Sequence, residues 1–184
     1  MYCTKCGNEL PVNHKFCTKC GNQNPNYSSK YIEEHPRSQY EQQWANDAKY
    51  SSIIRAHFNY IEKINMLYSV ISNLESCFSP KMQKVIDLCI EDIKLAPLYK
   101  EYWLENAKIC NFSETLPSYP SFQRLAIIYE KQKEYQKAID VCNYAIQLGF
   151  YRDGTLGQMP GRLARLIKKA RNENIAIDEH STIL

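Results

Sequence analysis

The sequence predicts an all-α protein with a small cysteine-held module in front of it, and three observations predict this. Four of the eight cysteines fall within residues 3–20, as two copies of Cys-Thr-Lys-Cys-Gly. No glycine occurs from residue 22 to residue 148, so a main helix breaker is missing from most of the chain. The segments free of Gly and Pro are long, and each carries an apolar period near 3.6 residues rather than the alternation of strands.

The first such segment, 39–78, carries Tyr40, Trp44, Ala48, Ile54, Phe58, Ile61, Ile64, Tyr68, Ile71 and Phe78 as its apolar set. It reads as one long helix, or as two joined near Ser51 and Ser52. The second, 80–96, opens on Ser79-Pro80, a capping residue followed by Pro in the first turn. Its stripe is Met82, Val85, Ile86, Cys89 and Ile93, and it stops at Pro97. The third, 98–110, carries Tyr99, Tyr102, Trp103, Ala107 and Cys110, and 111–120 is a loop. Two further helices are expected over 121–132 and 134–148, and a last one over 160–172. Residues 22–38 are polar, contain Pro25 and Pro36, and read as a linker.

Cys3, Cys6, Cys17 and Cys20 are spaced as C-x2-C, ten residues, C-x2-C. Two intervening residues let one tight turn aim both sulfurs at a single ion, and Gly7 and Gly21 supply the left-handed backbone that follows such a turn. Two facing turns give a tetrahedral four-thiolate shell, the closed arrangement of structural zinc. Phe16 and Leu10 are its expected apolar contacts, and His14 is expected to lie exposed, outside a shell already closed. A disulfide framework needs an oxidising compartment, for which the sequence gives no sign. A rubredoxin-type iron site ordinarily has more sequence between its knuckles, and a dithiol redox motif expects a single Cys-x-x-Cys in a βαβ setting. One structural Zn2+ is therefore expected.

Residues 1–21 resemble the short zinc-ribbon module found at the N-termini of many bacterial proteins, through Cys3, Cys6, Gly7, Phe16, Cys17, Cys20 and Gly21. A second resemblance lies in residues 120–150. Phe122, Leu125, Ala126 and Tyr129 on one helix, then Tyr135, Ala138, Cys142 and Ala145 on the next, are similar to the tetratricopeptide repeat (TPR), a helical hairpin of about 34 residues. Phe150 stands where that pattern usually has proline. A fainter copy is found by self-comparison: "VIDLCIEDIKLAP" (85–97) aligns without gaps on "AIDVCNYAIQLGF" (138–150), at an offset of 53 residues. The expected architecture is thus an irregular TPR-like helical hairpin array (39–172) behind a zinc ribbon (1–21) and linker (22–38). A capping helix is expected at 160–172 and a flexible tail at 173–184. Cys77, Cys89, Cys110 and Cys142 are expected to be buried thiols.

Net charge is only +3, no run approaches the ~18 apolar residues of a membrane span, and no apolar leader precedes Cys3. A cytoplasmic protein with no membrane partner is the expectation. The sequence shows no grouped Ser, His and Asp, no open metal site, and no Gly-Lys-Ser/Thr phosphate loop near its late glycines. His57 reads as surface or packing rather than as a base. No enzyme is expected. The repeat resemblance implies a protein or peptide partner held on first-helix positions, for which Gln123, Ile127 and Glu130 are the candidates. The alternative is a nucleic-acid partner, with Lys5, Lys15 and Lys19 of the ribbon and Arg162, Arg165, Lys168 and Lys169 of the last helix as phosphate contacts.

Overall fold

The computed structural model describes residues 2–10, 14–24, 38–74 and 76–178. Among them are six helices and no strand beyond isolated bridges: α1 Gln39–Leu74, α2 Pro80–Ile93, α3 Ala96–Cys110, α4 Pro120–Lys131, α5 Tyr135–Leu148 and α6 Gln158–Asn172. The contacts divide the chain into two compact units, Met1–Trp44 and Ala45–Leu184. Most of the expected linker (25–37) and the end of the expected tail (179–184) lie outside the described residues.

α1 is a single helix of 36 residues, unbroken at Ser51 and Ser52. A capping box starts it: the Ser38 amide donates to the Glu41 carboxylate at 2.9 Å, and the Glu41 amide donates to Ser38 Oγ at 3.3 Å. Its buried residues Tyr50, His57, Ile64 and Ile71 recur every seventh position, with half-buried Ile53, Tyr60 and Leu67 between them. That is the a/d pattern of a helix lying along its neighbours. Tyr40, Trp44, Phe58 and Phe78, expected on the apolar side, are exposed instead. Phe78 lies beyond the end of α1, and the first half of the inward face of α1 is polar. Asn46 Nδ2 donates to Asn106 Oδ1 at 2.9 Å, Tyr50 OH donates to Glu105 at 3.1 Å, and His57 Nδ1 lies 2.8 Å from Asp92 Oδ1.

The remaining helices bury most of the stripes expected of them, although Tyr102 and Trp103 of α3 are only half-buried. Ser79 caps α2, its Oγ accepting from the Met82 amide at 3.1 Å. Met82, Val85, Ile86, Cys89 and Ile93 are all buried. α3 starts at Ala96 with Pro97 in its first turn, so Pro97 opens a helix as well as following one. α2 packs against α4, α4 against α5, and α5 against α6, while α3, which lies between α2 and α4 in sequence, meets α5. The α2–α4 contact is therefore repeated by α5–α6, and Cys89 and Cys142, related by the internal offset, are both fully buried. Cys77 and Cys110 differ from expectation in being only half-buried.

α5 ends at Gly149, whose φ of 93° no side chain adopts readily, and the Phe150 amide donates back to the Ala145 carbonyl at 2.9 Å. Phe150 then fills the core against Tyr119 and Phe122, with ring centres 5.0 and 5.8 Å away. A large ring thus fills the core directly after α5. The chain beyond α6 is held rather than loose as far as Asp178. Glu173 accepts from Tyr135 OH at 2.7 Å, the Asp178 amide donates to Gln136 Oε1 at 2.7 Å, and Ile175 and Ile177 pack on the core.

Candidate metal centre and binding surfaces

The N-terminal module is built twice from one local plan. In the first knuckle the Cys3 amide donates to the Asn8 carbonyl at 2.7 Å and the Gly7 amide to the Cys3 carbonyl at 2.9 Å. In the second, Cys17 donates to Asn22 at 2.7 Å and Gly21 to Cys17 at 2.8 Å. Gly7 and Gly21 have φ of 68° and 71°, as the turn requires. Antiparallel bridges Tyr2–Glu9 and Phe16–Gln23 close the two knuckles. Asn24 finishes the unit, its amide donating to Lys15 O at 2.9 Å and its side chain to His14 O at 3.0 Å. Leu10 is buried as expected, whereas Phe16 is half exposed, with the Lys15 ammonium 5.6 Å from its ring centre.

The four sulfurs converge. All lie within 4.8 Å of one another, and the Cys3–Cys20 and Cys6–Cys17 pairs are 3.6 Å apart. A tetrahedron with Zn–S bonds of about 2.3 Å needs sulfurs about 3.8 Å apart, so the spacing fits the ion. Backbone amides aim at the sulfurs: those of Lys5 and Cys6 hold the Cys3 thiol down to about 6 against its burial. For Cys17, the Lys19 and Cys20 amides outweigh burial and also lower the value. The Asn22 amide pulls Cys20 the same way, but burial and the three neighbouring sulfurs outweigh it and push that thiol up to about 12. Four thiolates crowded this closely need a cation among them. His14 is not part of the cluster.

Residues 2–24 match the family model of a zinc-ribbon domain. Searches of curated proteins and of solved structures returned no match. Geometry and family model agree that the module is a zinc ribbon holding one structural Zn2+ on Cys3, Cys6, Cys17 and Cys20. Four protein sulfurs complete a structural shell, which leaves no position for a water to be activated.

The basic residues of α6 are largely engaged within the protein. Arg162, only 6% exposed, donates from Nε to Asp153 Oδ2 at 2.7 Å, and its Nη1 lies 3.9 Å from Glu130. Arg165 donates to Leu156 O at 3.1 Å and to Thr155 Oγ1 at 3.0 Å, and Lys169 pairs with Glu130. Lys168 is left exposed on the outer face. Burial alone would raise the Asp153 carboxyl, but the Thr155 hydroxyl and amide, with Arg162, hold it below its ordinary value. Of the three first-helix candidates, Glu130 is thus committed to α6, while Gln123 and Ile127 are half-buried on α4.

One polar cluster was not legible in the sequence. Asp92, fully buried on α2, meets His57 of α1 at 2.8 Å and accepts from Ser121 Oγ at 2.6 Å. Tyr119 OH donates to the Asp92 carbonyl at 2.7 Å, and the Tyr99 and Tyr119 rings flank His57 at 4.6 and 4.4 Å. Serine, aspartate and histidine do come together, but Ser121 gives its hydrogen bond to Asp92 rather than to His57. No nucleophile–base pair is formed, and the cluster ties α1, α2 and the start of α4 together. The available signal was the internal alignment, in which Asp92 falls opposite Ala145, a small inward residue.

Proposed function

We propose that this is a non-enzymatic interaction protein, in which the helices hold a protein or peptide partner and the zinc ribbon is a structural and docking module. The carrying observation is the closed four-sulfur site, whose Zn2+ serves folding and offers no position to a substrate. The repeated helix packing of α2–α4 and α5–α6 supports the partner-binding part, as does Ile127, half-buried on α4 outside the main core cluster. The proposal is tested by affinity capture from the native host, with the full chain and with Ile127→Glu and Gln123→Arg chains. A specific partner retained by the first and lost by the others is expected. Equal capture by all three overturns the assignment of the α4 face.

The nucleic-acid reading is the weaker one because Arg162, Arg165 and Lys169 already have partners inside the protein. Its test is binding of DNA and RNA at low salt: a steep loss as salt rises would restore it, and no binding removes it.

A further inference from the structure

We propose that α1 pairs antiparallel with α1 of a second copy, through the face it turns away from its own protein. Phe58, Glu62, Met66 and Val70 recur every fourth residue on α1, so they form one ridge. All four are exposed, on the side opposite the buried His57, Ile64 and Ile71. A helix face left to water is ordinarily dominated by charged and polar side chains. Here, of the positions exposed between residues 51 and 70, only Arg55, Glu62 and Lys63 are charged, while Phe58, Met66 and Val70 are each more than half exposed. Two serines of the same face already have partners: Ser51 Oγ donates to the Ala48 carbonyl and Ser69 Oγ to the Met66 carbonyl, both at 3.0 Å. Covering them therefore strands no hydroxyl donor.

The pattern on this face selects an antiparallel copy of itself as the occupant. Bulk lies in the second half, at Met66 and Val70, and small exposed side chains lie in the first half, at Ala48 and Ser51. Charge is divided in the same way. Arg55 and Glu62 stand about 10 Å apart along the helix, too far to pair with each other. Neither has an ion-pair partner among the described residues. A two-fold axis passing between Phe58 and Asn59 brings each Arg55 against the other copy's Glu62. The same axis sets Met66 against Ser51 and Val70 against Ala48, and lays Phe58 beside its own copy. A parallel pair would instead set Arg55 on Arg55, Glu62 on Glu62 and Met66 on Met66. Lys63 stands about 100° round the helix from Glu62, at the margin of the face, where a long side chain reaches water. Such a contact is isologous and closes on itself, which gives a dimer rather than a filament. With one helix face per copy, the dimer belongs to the weak, reversible class.

Sedimentation equilibrium of the zinc-loaded full chain, from about 1 μM to about 1 mM, tests this. Wild type should show a reversible dimer, with dissociation in the micromolar range. Met66→Glu leaves the fold intact because the side chain is exposed, as an unchanged circular-dichroism spectrum would show. It should weaken the dimer at least ~10-fold, since two methionines lose their apolar cover per dimer. Arg55→Glu and Glu62→Arg should each weaken association, because each sets like charges opposite one another. The doubly reversed chain, and an equal mixture of the two single variants, should pair as wild type does. A monomer across the whole range overturns the proposal and leaves the face to a helix of another protein. A dimer indifferent to Met66→Glu or to the single charge reversals also overturns it, as does a doubly reversed chain no better than its single parents.

Discussion

Asp92 occupies an inward position that the internal alignment fills with Ala145, and it depends on three side chains to be tolerated there. Removing one partner of a buried pair leaves the others desolvated and unpaired, at a cost of about 3–5 kcal/mol. Asp92→Ala should therefore lower unfolding free energy by roughly that amount in urea titrations, far more than truncation of an exposed carboxylate. Asp153 makes a pH-dependent contribution of defined sign. Its carboxyl is held below the ordinary value of about 3.9, so its stabilisation is complete above that range and is lost as pH falls through the folded-state value. Asp153→Asn should lower the urea midpoint at neutral pH and lose less of it than wild type between about pH 5 and pH 2. The role of Asp92 was not readable beforehand, because a lone acid in a helical stripe looks the same in sequence whether it faces water or a histidine 35 positions away.

Most helix bounds were legible because they are written in local chemistry. Ser79-Pro80 starts α2 and Gly149 ends α5, where the sequence places them. Ser79→Ala should destabilise the helical unit by about 1 kcal/mol through loss of the cap. Gly149→Ala should cost at least ~1 kcal/mol, since φ is 93° and an added Cβ also meets Leu116 at 3.4 Å. Thermal unfolding monitored by circular dichroism checks both. The orientation of α1 was less legible. Its apolar residues suggested one face, but Asn46, Tyr50 and His57 turn inward because α3 and α2 offer them partners. That choice is made by tertiary contacts, which a periodicity count cannot contain. The internal partners of the α6 basic residues were hidden for the same reason: Asp153 lies nine residues from Arg162, and Glu130 lies on another helix.

At the scale of the molecule, the glycine distribution separates two ways of folding. The ribbon depends on tight turns and a metal, for a module of two dozen residues buries too little surface to fold alone. The helical unit has its own core from Ile64 to Ala170 and has no need of a metal. The metal site was fully legible because four ligands and two glycines follow a fixed local spacing. A partner surface is not written that way, since it depends on which half-buried side chains the packing leaves over. Because the ligands must be deprotonated, zinc should leave as pH falls. The most direct test is zinc content measured alongside the helical circular-dichroism signal, before and after chelation. One zinc per chain, absent from Cys17→Ser and removed by chelator while the helical signal persists, is the expected result. A zinc-free chain with reduced thiols, or helices that collapse when the metal is withdrawn, would contradict the account.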